Sequence, residues 1–324
     1  MAVELSCGLP PGPQFAELAV LAEALGYSRV WIFDSASFWE DRFVHLALAA
    51  DRTSRIGLAT AVLIPGERSE MSLASAIAAI ARLSAGRFRA CFGTGATARR
   101  TMGQRPVTLQ AMRDYVIAVR RLLAGETVII DGQPARMLHA DGLAAPRPID
   151  VEIWLSVFGP RGMALASEIA DGIIVGRPMD HALPTAMLMP ATVLEHDEDH
   201  DSARVQDAVG PWMVVTYHEA YAVAGPEAVD ALPGGRGWRE ALEALAPDGE
   251  RHLLTHQGHV THLTERDQAL LDDAPDGLAT IGTPDEIGTR VMDLADHGVR
   301  EIIFTPSGRD IARELTTFYA AASR

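Results

Sequence analysis
Hydrophobic positions along this chain change period in a recurring order. A stretch with apolar residues at helical spacing is followed by a Gly, then by a short continuous run of Val, Ile, Leu or Phe that ends on a polar residue or a Gly. Leu18–Asp34 (LAVLAEALGYSRVWIFD), Ile77–Gly95 (IAAIARLSAGRFRACFGTG), Ala164–Gly176 (ALASEIADGIIVG) and Arg290–Pro306 (RVMDLADHGVREIIFTP) share this form, and Leu46–Val62 repeats it with Ser54-Arg55 at the junction. The order implies parallel strands joined by helices. Such sheets carry their chemistry at the C-terminal ends of the strands. The runs expected to be strands are Val3–Gly8, Arg29–Asp34, Ile56–Val62, Phe88–Gly93, Val151–Val157, Gly172–Gly176, Trp212–His218 and Glu301–Thr305. They are short and rich in Val and Ile, as strands buried on both faces are. Eight of them over 324 residues predict an α/β fold of the (β/α)8 TIM-barrel class, one domain over 1–324, with a doubly wound open sheet as the alternative.

Two segments interrupt the rhythm. Thr127–Arg147 reads as a hairpin turning at Asp131-Gly132, and residues 225–275 as a helical insertion between strands seven and eight. Insertions at such positions commonly cover the mouth of a barrel.

Charge and composition narrow the chemistry. The net charge is −15, from 28 basic and 43 acidic residues, which argues against nucleic acid as a partner. All the basic residues are Arg. Without Lys the chain has no Schiff-base nucleophile and no P-loop. Cys7 and Cys91 lie in separate apolar runs and read as buried thiols, the usage of a reducing cytoplasm. The N-terminus lacks the basic and apolar regions of a signal peptide, and no apolar run is long enough to span a membrane, so no membrane partner is expected.

The candidate site residues sit in the loops after the strands. Gly93-Thr94-Gly95 followed by Ala98 fits G-x-G-x-x-A, but not at the first strand and without the later acid of a dinucleotide fold. The glycines are better read as letting backbone approach a flat ring or a phosphate. In Ser156–Met163 (SVFGPRGM) a Gly-Pro pair opens a helix, an anion site or an ordinary turn. Asp34 ends the second strand, as a functional acid or a helix cap. Glu4 lies in the first strand, where an acid facing the interior needs a partner or a task, the alternative being an outward salt bridge. His252, His256, His259 and His262 recur at four-, three- and three-residue spacing and would share a helix face. Without H-E-x-x-H or a nearby Cys, that face is expected to turn to a pocket or a subunit contact, and no metal is expected.

With these residues in view, the chain resembles the luciferase-like superfamily of flavin and deazaflavin enzymes. The likeness is strongest to its coenzyme F420-dependent branch, which includes methylenetetrahydromethanopterin reductase. The resemblance rests on GYSRVWIFD, IARLSAGRFRACFGTG, FGPRGMALASEIADGIIVG and IGTPDEIGTRVMDLADHGVREIIF. It implies a (β/α)8 barrel and hydride transfer between F420 and a small organic substrate, with FMN-dependent monooxygenation and a degenerate, non-catalytic cofactor-binding subunit as alternatives. It also places Asp34 near the deazaflavin ring and Ala61-Val62 in a strand-three bulge that often holds a cis peptide. Gly93, Thr94 and Gly95 fall beside the cofactor, and Val157, Phe158 and Gly159 in the cradle for its phosphate. Glu4 matches an acidic position of the methanopterin reductases, so Glu4 and Asp34 are the candidate catalytic acids. Ser35 replaces a His and Ala96 an acid of known branches, so a different, less charged substrate is expected. A homodimer or larger homo-oligomer in the cytoplasm completes the expectation.

Overall fold
The computed structural model describes residues 3–179, 181–271 and 277–324. Eight parallel strands close into a barrel. They are β1 (Glu4–Leu9), β2 (Arg29–Phe33), β3 (Gly57–Ala61), β4 (Phe88–Gly93), β5 (Glu152–Ser156), β6 (Gly172–Val175), β7 (Thr185–Met189) and β8 (Glu301–Phe304). The strands follow chain order around the barrel, and β8 returns beside β1. The open-sheet alternative is therefore excluded.

Local chemistry sets the helices between them. α1 (Phe15–Leu25) ends at Gly26, whose φ of 108° is a left-handed stop that favours glycine. α2 (Arg42–Arg52) starts where the Asp41 carboxylate accepts from the Phe43 amide at 2.8 Å. α3 (Glu70–Leu83) and α4 (Leu109–Leu123) are capped in the same way by Ser69 and Thr108. α5 (Gly159–Ile169) has Pro160 in its first turn, where a missing N–H costs nothing. The expected hairpin is present: Val128–Ile130 pairs antiparallel with Gln133–Ala135, and Asp131 and Gly132 turn with positive φ.

The seventh strand is a correction. Trp212–His218 is helical, spanning the end of α6 (Ala203–Met213) and the short helix Val215–Glu219. Val214 and Tyr217 there pack with Val229, Trp238, Leu242 and Leu270. A short apolar run does not separate a buried strand from a buried helix by period. The strand that fills the place, TAMLM, has only one β-branched residue, Thr185, among Ala, Leu and Met. Helices between β7 and β8 accordingly begin at Ala203 rather than near 225; they run on to Gln268, and a last helix, Pro284–Asp296, leads into β8. The end of the expected insertion, 272–275, lies outside the described residues.

The chain divides into two compact units, one of residues 1–96, 107–188 and 295–303, the other of 97–106, 189–294 and 304–324. In the first, a layer of interior side chains fills the barrel: Trp31, Ala59, Cys91, Trp154, Ile174, Ala186 and Ile303, one from each strand β2 to β8. Below it, at the strand N-terminal ends, lies a charged plug. Trp31 Nε1 donates to Glu301 Oε1 at 2.7 Å, and Arg89 bridges Glu301 (3.2 Å) and Glu152 (2.6 Å). The Arg89 guanidinium also lies 4.0 Å from the centre of the Trp154 ring. Groups at this end of a barrel serve stability rather than chemistry. Both thiols, Cys7 and Cys91, are buried and unbridged, and burial pushes both up in pKa. Among the described residues no helix is long and apolar enough to cross a membrane.

Candidate active site
The barrel puts Asp34, Val62, Thr94 and Val157 directly after β2, β3, β4 and β5, so one end of the first unit carries most of the residues singled out in the sequence. Asp34 is 8% exposed. Its Oδ1 is held by Arg42 Nη1, and Arg42 also lies 3.6 Å from Glu67. Its Oδ2 is buried and has no hydrogen-bond partner. Burial pushes the Asp34 carboxyl up to about 7; the Arg42 guanidinium opposes this, and the carboxylates of Glu67 and Asp41 add to it. A buried acid poised near neutrality with one open oxygen can hold or release a proton at the strand end. The sequence reading missed Arg42 and Glu67. The available signal was an Arg at the first position of α2, eight residues after Asp34, which helix geometry turns back toward the strand it follows.

Two turns shape the wall beside β3 and β4. The Ala61–Val62 peptide is cis, as the resemblance implies. The ladder to β4 resumes at once: Leu63 N donates to Cys91 O at 2.7 Å and Gly93 N to Leu63 O at 3.0 Å. Below the bulge, Thr60 Oγ1 donates to Cys91 O and accepts from Cys91 N. Val62 presses onto Gly93, where an added Cβ would lie 2.6 Å from Val62 Cγ2. Gly93 is thus a glycine for the bulge's sake. Gly93→Ala should destabilise the fold by about 1–3 kcal/mol through overpacking. A urea midpoint matching that of the parent protein would contradict this contact. Gly95, at φ 70°, turns the chain after Thr94, whose carbonyl accepts from Val107 N at 3.0 Å.

Beside β5, Val157 is buried and Phe158 is 68% exposed. Phe158 occupies the N-cap of α5 without a side-chain cap, so the first amides of this helix stay open to a ligand. Gly159 (φ 74°) has nothing within 4 Å of the place a Cβ would take. An anion can therefore approach the backbone there.

Glu4 is placed differently from the expectation. It is the first residue of β1, exposed, at the strand end opposite to the one Asp34 follows. Its charge acts on Arg29 in the lower plug. The buried setting that motivated a catalytic role is absent. Glu4→Gln should change stability by no more than about 0.5 kcal/mol and leave turnover unaltered, and a large loss of turnover would return Glu4 to the chemistry. The four histidines also differ from expectation. Only His252–Thr255 is helical; His256 and His259 lie on turns, and His262 lies in irregular chain just after them.

Residues 5–301 match the family described as luciferase-like monooxygenase. The chain belongs to this family. Among curated relatives, a 5,10-methylenetetrahydromethanopterin reductase of Methanolobus tindarius is 27% identical, with 90% of each chain covered. A protein named a putative coenzyme F420-dependent oxidoreductase, from Mycobacterium tuberculosis, is 30% identical with 95% of each covered. The solved structure of a coenzyme F420-dependent tetrahydromethanopterin reductase from Methanopyrus kandleri superposes with a TM-score of 0.67 over 98% of both chains at 18% identity, a likeness of fold.

Proposed function
We propose that this luciferase-like protein is an F420-dependent oxidoreductase that passes a hydride between the deazaflavin and a small organic substrate. The observation that carries the reading is the Asp34 carboxyl, buried at the end of β2 with one oxygen unpaired, in a chain with relatives named for F420. When bound, F420 would supply the hydride-accepting or hydride-donating carbon. The residues present fit such a group. Phe158 and Gly159 would hold its phosphate at the open amides of α5, and Val62, Gly93, Thr94 and Gly95 would wall its ring.

This chain's own groups have three tasks. The backbone at Gly159 binds an anion and so fixes the orientation of what is attached to it. The β3 bulge, backed by Gly93, holds one wall fixed. Asp34 takes up or gives back a proton at Oδ2, while Arg42 stabilises its ionised form. The absence of Lys and the presence of Ala96 support a substrate with fewer anionic groups than a sugar phosphate.

The test is an absorbance assay of F420 reduction and reoxidation against a panel of neutral alcohols, aldehydes and enones, run beside oxygen uptake with reduced FMN. The account expects a change in F420 absorbance with a neutral substrate and no oxygen uptake above background. Oxygen uptake that depends on reduced FMN would assign the protein to the monooxygenases instead.

A further inference from the structure
Within the second unit, three histidines from two separate segments meet. His218 comes from the helix Val215–Glu219, His256 caps the helix His252–Thr255, and His259 follows on the next turn. One ring nitrogen from each lies within 4.8 Å of the other two. The His218 and His256 rings meet edge to face at 5.6 Å, and those of His256 and His259 at 5.7 Å. The turn is built for this approach. Gly258 adopts φ 77°, and a Cβ there would lie 2.2 Å from His262 O.

The protonation pattern follows from the partners. Asp267 Oδ1 accepts from the indole Nε1 of Trp238 at 2.8 Å and lies 3.0 Å from His218 Nε2. An indole nitrogen only donates, so Oδ1 is an acceptor, and His218 Nε2 carries the proton it gives to Asp267. His218 Nδ1 is buried and without a hydrogen-bond partner of its own. Neither ring nitrogen of His256 has a partner, although the residue is only 1% exposed. A buried polar atom without a partner is costly, which favours a ligand that would supply one.

We propose that His218, His256 and His259 bind one divalent transition-metal ion of the zinc class. Three imidazoles, one of them backed by a carboxylate, are the donor set such ions take, and the carboxylate fixes the ring that it backs. A tetrahedral site with metal–nitrogen bonds of about 2.0–2.1 Å needs its nitrogens some 3.3 Å apart, so the cluster need close by no more than about 1.5 Å on binding. The charges around it balance. Asp267 is negative, Arg266 lies 3.7 Å from it, and Arg100 is 3.6 Å from Glu219. His256 lines a hollow of about 580 Å³ with Arg100, Tyr221 and His252, which gives an ion a way in. The fourth position is then open to water or to a ligand entering that hollow. The ion would tie the helix carrying His218 to the 252–262 turn.

The experiment is titration of the purified full chain with Co²⁺ at pH 7.5, read by visible absorption, together with metal analysis of the protein before any chelator. The expected result is one equivalent bound, with the intense bands of four-coordinate cobalt displaced by Zn²⁺. Binding should fall at least about 100-fold in His256→Gln and in His259→Gln, the latter at a half-buried position that tolerates substitution more readily. The His196→Gln/His200→Gln pair, on an exposed acidic loop, should keep the full equivalent. Absence of cobalt bands in natively folded protein, bands of six-coordinate cobalt only, or binding unchanged in His259→Gln would overturn the proposal.

Discussion

Asp34→Asn should lower turnover by about 10²-fold or more while F420 binding persists, the range lost when a positioned acid or base is removed. The carboxyl sits near 7 because burial outweighs the attraction of Arg42. A profile of kcat against pH should accordingly show a limb near 7 in the parent protein and none in Asp34→Asn. The same group leaves a mark on stability. An unfolded Asp titrates near 3.9, so between about pH 4 and 7 the folded chain holds a proton that the unfolded chain has released. The contribution of Asp34 is therefore greatest below pH 4 and is lost as the pH rises through about 7. Urea unfolding from pH 4.5 to 7.5 should show a slope about one proton flatter in the variant. If turnover persists while only stability changes, Asp34 serves Arg42 and not the substrate.

The largest effect on folding belongs to the other end of the barrel. Glu301 is 4% exposed and joins Trp31 and Arg89 by one carboxylate oxygen each. Glu301→Ala removes both acceptors, leaving the Trp31 indole N–H unpaired and the Arg89 guanidinium, itself only 12% exposed, with Glu152 alone. Breaking a buried pair from one side costs about 3–5 kcal/mol. Glu301→Gln keeps an acceptor for Trp31 but turns an amide donor toward Arg89, and should recover only part of that. Guanidinium chloride midpoints for the two variants check this. A loss below about 1 kcal/mol in Glu301→Ala would mean that water reaches Arg89 and that the plug is solvated.

Legibility in the sequence followed the range of the interactions involved. The helix–Gly–strand units were readable because each is settled within some 17 residues by period, cap and turn. Phe88–Gly93 matches its predicted bounds fully, and Asp131-Gly132 makes its hairpin turn. The seventh strand was not readable. WMVVTYH is apolar and carries β-branched residues as strands do, and its helical state comes from packing against Trp238 and Leu242. At the candidate site, Asp34, Val62 and the two loops were named from position and resemblance. The pairing of Asp34 with Arg42 and Glu67 needed the return of α2 onto the strand ends. Glu4 misled because membership in a strand says nothing of which end it occupies, and the first residue of a barrel strand lies at the stability face. The histidine spacing suggested a helix face, but the cluster draws on His218, some 40 residues away in sequence and inside the run misread as a strand.

The central claim, that the strand-end site of this luciferase-like chain takes a deazaflavin, is tested most directly by equilibrium binding of oxidised F420 and of FMN to the same preparation, read by fluorescence in parallel titrations. The account predicts micromolar or tighter F420 binding, with FMN at least about tenfold weaker, a difference of roughly 1.4 kcal/mol or more. Tight FMN binding with no detectable F420 binding would contradict it in favour of an oxygen-activating enzyme, and failure to bind either ring would make the chain a non-catalytic member of its family.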